Sequence, residues 1–197
     1  HDPIQGIMTG LRAFGEIEAI AGIRLGTTVA TNTLLEGKGA RVAYVTTKGF
    51  RDVPFIGRGN RRHHYDLAWV KPKPFVRRRD AHEVDERVGP SGNVVQALDA
   101  VQVAALADRL ASEGEIEAVA VVLLHSYLMP EHEQRIKAIF RDRLPGVPVS
   151  ISYEVLPKWK EHFRSSTTIC DAFIKPVVMR QLGSMRRELD EQGVNAR

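Results

Sequence analysis

The chain is poor in cysteine. Its 197 residues contain one, Cys170, which excludes an internal disulfide and any zinc site built on several thiolates. A lone thiol suits a reducing compartment, and a cytoplasmic location is expected. No apolar run approaches the roughly 20 residues that a membrane span needs, so no membrane contact is expected. The first residues given do not read as signal-like, since Asp2 precedes a mixed segment without a basic start or apolar core. The chain opens on His1 rather than methionine and is expected to be a fragment of something longer. Acids are scarce in one region. Between Gly57 and Arg79, eight basic side chains (Arg58, Arg61, Arg62, Lys71, Lys73, Arg77, Arg78, Arg79) meet a single acid, Asp66. Such a loop suits a phosphate, a carboxylate or an acidic surface, or is simply solvated. No aromatic ladder accompanies the charge, which argues against nucleic acid. The phosphate signatures G-x-x-x-x-G-K-[ST] and G-x-G-x-x-G are both absent.

What is present centres on Gly26-Thr27-Thr28-Val29-Ala30-Thr31-Asn32-Thr33-Leu34-Leu35-Glu36. An apolar lead-in, Ala21 to Leu25, reads as a strand; Gly26 breaks it and an amphipathic run follows. Threonine and asparagine oxygens can cap the free N–H groups of a first helical turn. The same N–H groups can hold an anion instead, aided by the helix dipole. Arg41 to Thr47 reads as a buried strand, so strand, helix and strand fall within the length of a parallel crossover.

Further along, Asp2-Pro3 starts a helix that Gly15 or Gly22 ends. Glu83–Val88 and Asn93–Val95 flank a Gly-Pro-Ser-Gly turn and predict a hairpin. Asp99 caps a helix whose apolar face is Val101, Ala105, Leu106 and Leu110. Ala118 to Leu124 is apolar without alternation, the pattern of a strand buried on both faces. Pro130-Glu131-His132-Glu133 opens another helix that ends near Leu144-Pro145-Gly146, Val147 to Ser152 is a further strand, and Glu161 to Glu191 reads as one long helix, bent near Lys175-Pro176.

Among polar candidates, His125 stands where the most apolar strand leaves the sheet, and ligands collect beyond such ends. A satisfied structural histidine fits the same place. His63-His64 has no flanking ligands and makes a weak metal site. His132 and His162 read as solvated helical residues. Ser165-Ser166-Thr167-Thr168 lowers helix propensity, which points to a lined site or close packing. Cys170 reads as core beside Phe173 and Ile174.

The ordered set Gly26–Asn32, Glu36–Val42, Thr46–Val53, Tyr65-Asp66-Leu67, Glu86-Arg87-Val88, Leu124–Tyr127, Pro130–Glu133, Glu154–Pro157 and Arg164 with Ser166-Thr167-Thr168 resembles the amino-terminal region of the hydantoinase A/5-oxoprolinase family. The resemblance implies an α/β actin-like ATPase (ribonuclease H-like) fold, with a mixed sheet, flanking helices and no first phosphate-loop strand. It implies an α/β domain over about 1–160 and a long helical segment over 161–192. It also implies ATP and Mg²⁺, and hydrolysis of cyclic amides such as hydantoins or 5-oxoproline. The alternatives are a subunit of an acetone or acetophenone carboxylase and a noncatalytic scaffold. A homo- or hetero-oligomer with a hydantoinase B-type subunit is implied, acting on a small-molecule substrate. On this reading Gly26, Thr27, Thr28 and Asn32 shape a nucleotide or substrate cleft, and Arg58, Arg61, Tyr65 and His125 face the substrate. The chain departs from the family at Leu25, where histidine is usual, at Glu161-His162-Phe163-Arg164 in place of Glu-Tyr-Glu-Arg, and at Asp171 in place of asparagine.

Overall fold

The computed structural model describes residues 3–13, 15, 22–24, 26–59 and 65–191. In chain order the elements are α1 (Pro3–Ala13), α2 (Val29–Glu36), β1 (Val42–Thr47), α3 (Val53–Ile56), β2 (Ala81–Val84), β3 (Arg87–Val88), β4 (Val94–Gln96), α4 (Ala100–Glu113), β5 (Ala118–Val122), α5 (Glu131–Arg143), β6 (Val149–Ile151), α6 (Ser152–Val155) and α7 (Glu161–Glu191). They fall into two compact units, His1–Lys38 with Val177–Arg197, and Gly39–Pro176. Helix α7 is continuous, and the boundary between the units falls just after its internal Pro176.

The larger unit is an α/β layer structure. Its four-stranded sheet has the order β2-β1-β5-β6. Every described pairing in it is parallel, where a mixed sheet was the expectation. Antiparallel pairing is confined to the small hairpin of β3 and β4. That hairpin closes as the Gly-Pro-Ser-Gly turn predicts: Gly89 N–H donates to Asn93 O, and Gly92 adopts φ +83°. Strand β5 is buried at all five positions because both its faces are covered. Ala43, Val45, Val119 and Val121 pack with Val103, Leu106, Ala107 and Leu110 of α4 and with Ile136 and Phe140 of α5. On the opposite face, Tyr44 OH meets Ser165 Oγ of α7 at 3.0 Å.

Asp99 caps α4 as predicted, accepting from Val101 N and Gln102 N at 3.0 Å each. The apolar face is rotated from the expected one. Val103 and Ala107 are buried, whereas Val101 and Ala105 are exposed, since Val101 sits at the open first turn. Ala81–Val84 is a strand of the main sheet, and the hairpin proper begins only at Arg87.

In the smaller unit, Met8 of α1 packs on Met185 and Leu189 of α7, with Ile7, Leu11 and Ile23 around them. The strand expected over Ala21–Leu25 is not formed by residues 22–24, and residues 21 and 25 lie outside the described residues. The predicted cap at Asp2 also lies outside them. No described helix is long and apolar enough to cross a membrane.

Candidate functional site

Parallel strands present their carboxyl ends on one edge of the sheet, and there β1, β5 and β6 finish in polar residues. Thr47 ends β1, Leu123-Leu124-His125-Ser126 follows β5, and Ser152 follows β6. These residues meet two carboxylates and one guanidinium, all buried. Glu133, in the first turn of α5, accepts from Leu123 N at 2.9 Å, Ser152 Oγ at 2.7 Å and Tyr153 N at 2.9 Å. Arg164, from the first turns of α7, donates to Leu123 O at 2.6 Å and to Ser126 Oγ at 2.5 Å. Ser126 and Ser152 are 3.1 Å apart, so two hydroxyls bridge the opposite charges. Arg164 and Glu133 are each fully buried. Burial pushes the Glu133 carboxyl up, opposed by its hydrogen-bond donors, and burial also pulls the Arg164 guanidinium down. The Arg164 Nε has no partner.

Beside this pair lies a second carboxylate. Glu86, following β2, accepts from the Thr47 hydroxyl and meets His132 Nδ1 at 2.8 Å. Thr47 Oγ1 in turn accepts from Leu124 N at 3.0 Å. His132 is therefore no solvated helical histidine; its side chain is 13% exposed against a buried carboxylate. His125 is half-buried and adopts φ +54°, a left-handed conformation in which a residue with a Cβ is strained. Its carbonyl accepts from Leu128 N and Met129 N, and its Nδ1 lies 3.3 Å from Tyr127 OH.

Arg58 lies elsewhere in the larger unit, lining a cavity of about 300 Å³ whose lining residues do not include His125. Its guanidinium stands 5.2 Å above the Phe163 ring. Tyr65 is 99% exposed and joins neither group. Arg61, Arg62 and His63-His64 lie outside the described residues. Cys170 lines the cavity instead of filling the core, and burial pushes its thiol up, away from nucleophile behaviour. The hydroxyl run divides as helical geometry requires. Ser165 and Thr168 face inward while Thr167 is exposed, and Ser166 bonds back to His162 O at 2.8 Å.

The Gly26–Asn32 turn belongs to the smaller unit. Thr27 Oγ1 accepts from Val29 N at 3.3 Å, and Thr28 Oγ1 accepts from Asn32 Nδ2 at 3.4 Å. Thr28 stands at the cap position without using its side chain as a cap. Gly26 has open space where a Cβ would stand and no left-handed φ, so neither demands glycine there. Hydroxyls, a carboxamide and a helix start are donors that fit an anion such as a nucleotide phosphate. No carboxylate belongs to the set, so these residues do not fit Mg²⁺. Among the described residues, no three His, Cys, Asp or Glu side chains gather to hold a metal.

In open α/β sheets ligands collect beyond the carboxyl ends of the strands, the edge at which this polar platform lies. The sequence match is specific: the hydantoinase/oxoprolinase N-terminal region covers residues 1–144, and the chain belongs to that family. It is 32% identical to caprolactamase subunit alpha of Pseudomonas jessenii over 98% of this chain and 29% of the relative. It is 35% identical to 5-oxoprolinase 1 of Arabidopsis thaliana over 88% of this chain and 15% of the relative. The crystal structure of ATP-dependent caprolactamase from Pseudomonas jessenii superposes with a TM-score of 0.83 at 30% identity, over 98% of this chain and 28% of that one. The chain thus spans under a third of these relatives' lengths.

Proposed function

We propose that the chain is part of an ATP-dependent enzyme that opens a cyclic amide. One observation carries the reading: nearly the whole chain is similar to a caprolactamase subunit and most of it to a 5-oxoprolinase, two proteins named for lactam ring opening. An amide resists water because its nitrogen lone pair is delocalised, and ATP would supply activation by phosphorylating the amide oxygen. In this proposal Gly26, Thr27, Thr28 and Asn32 meet the nucleotide, and Mg²⁺ arrives with the phosphates. His125, Arg58, Arg61 and Tyr65 are assigned to the substrate. Arg164 and Glu133 touch no substrate; they hold the Leu123–Ser126 turn, and with it His125, in position. The caprolactamase relative is one subunit of an assembly, which supports a hetero-oligomer with a hydantoinase B-type subunit.

The test is turnover by the full-length protein with its partner subunit. ATP- and Mg²⁺-dependent formation of 6-aminohexanoate from caprolactam, or of glutamate from 5-oxoproline, is expected with stoichiometric ADP. ADP release that ignores every cyclic amide, or bicarbonate-dependent consumption of acetone or acetophenone, would remove the proposal.

A further inference from the structure

The cavity at Arg58 is not part of the platform, and its lining is chemically one-sided. Pro54, Phe75 and Ile169 supply an apolar wall, while Arg58, Lys71 and Lys73 bring three cations to it. No acid lines it. Among the described residues Arg58, Lys71 and Lys73 form no ion pair, although thirteen such pairs occur elsewhere. Lys71 is fixed in place: its ammonium donates to Phe55 O at 2.9 Å and to Ile56 O. The ammonium lies close over Gly57, which has φ +63° and on which a Cβ would lie 2.8 Å from Lys71 Nζ. His162 adds a buried Nδ1 that has no partner. Like charges brought to one apolar concavity without a counter-ion raise the local potential and concentrate anions there.

We propose that this cavity is an anion subsite for a small molecule with an apolar body and one acidic group, a carboxylate or a phosphate, held by Arg58, Lys71 and Lys73. The two anions share the chemistry of charge-assisted hydrogen bonding to guanidinium and ammonium. Assigning the carboxylate to the substrate, so that the enzyme takes an acidic lactam in preference to a neutral one, rests on the proposed function. The subsite itself does not.

Cys170 reports the cavity from inside, which gives a test independent of turnover. In the full-length protein, alkylation of Cys170 by iodoacetate and by iodoacetamide is followed by peptide mass mapping, with glutathione as the reference thiol. In both reactions the thiolate displaces iodide, and the reagents differ in charge. The iodoacetate-to-iodoacetamide rate ratio at Cys170 is expected to exceed that of glutathione by about tenfold or more. It should fall toward the glutathione value in Arg58→Ala/Lys73→Ala. A ratio no higher than that of glutathione overturns the proposal, and so does failure of both reagents in alkaline buffer, where the raised thiol ionises, because a cavity closed to them admits no larger anion. Protection by 5-oxoproline but not by inorganic phosphate identifies the carboxylate, and the converse identifies the phosphate. Equal protection by neutral 2-pyrrolidinone and 5-oxoproline also overturns it. Loss of lactam turnover with the high ratio intact would sink only the proposed function.

Discussion

Replacing Arg164 by methionine keeps an unbranched apolar stem, shorter than the original, and removes the charge. In the native unit the guanidinium satisfies Leu123 O and Ser126 Oγ and stands opposite the buried Glu133 across two serines. The variant leaves Glu133 uncompensated in a fully buried position. The two charges meet through Ser126 and Ser152 rather than directly, and removing one side of such a buried charge network, which also orphans Leu123 O, is expected to destabilise by about 3–5 kcal/mol. With a urea dependence of about 2 kcal/mol per molar, the midpoint should drop by about 2 M. The only two tryptophans, Trp69 and Trp159, both lie in the larger unit, so intrinsic fluorescence follows its unfolding. The pH dependence has a defined sign. Burial holds the Glu133 carboxyl above its ordinary value, so the folded state binds its proton more tightly than the unfolded one. Stability tied to that proton is full below the ordinary carboxylate pKa and is lost as pH rises through the higher folded value. The deficit of Arg164→Met should therefore grow from mildly acidic to alkaline buffer. Adding Glu133→Gln should recover part of the loss, with a coupling of about 1–3 kcal/mol. A single-variant loss under about 0.5 kcal/mol, the size of an ordinary surface change, would refute the reasoning, as would simple additivity of the two substitutions.

Gly39→Ala should destabilise by about 1–3 kcal/mol, as overpacking does, read as a lower melting temperature. A Cβ there would lie 2.4 Å from the Phe173 ring and 2.6 Å from Phe173 O, the carbonyl that accepts from Ala40 N. Asp80→Asn should matter at neutral pH and cease to matter in acid. Burial alone would raise the Asp80 carboxyl, but the two-pronged pair with Arg41 at 2.9 and 3.0 Å holds it below its ordinary value. A carboxylate with a depressed folded pKa contributes stability above its unfolded pKa, about 3.9, and loses it as pH falls through the folded value. Urea midpoints of the two proteins should converge below about pH 4.

Elements with strong local signals were legible in the sequence. The apolar run around Val119–Val122 gave a central strand because nothing but double-sided burial accommodates it, and Asp99 is a cap by its own side chain. Strand β2 was missed because four residues with a half-buried middle carry no clear period, and its strand character comes from pairing with β1. The Ala21–Leu25 segment misled in the opposite direction, since apolar content alone does not supply a neighbouring strand. The platform was only partly legible. His125 was placed correctly after its strand, but the Arg164–Glu133 pair joins elements far apart in the chain, and no local period reports such a meeting. The available signal was a charged residue interrupting an inward-facing helical stripe, Arg164 beside Ser165 and Thr168.

That pairing also bears on how the chain is made. Synthesis delivers the three strand ends and Glu133 first, and the guanidinium that neutralises them emerges later, in α7. Until it clears the ribosome, the nascent sheet carries an unmatched carboxylate at its rim, and cotranslational docking of the rim waits for Arg164. Polypeptides ending before that residue hold every described strand of the sheet yet lack the guanidinium that locks its edge, and are expected to be more open to proteolysis than the longer chain.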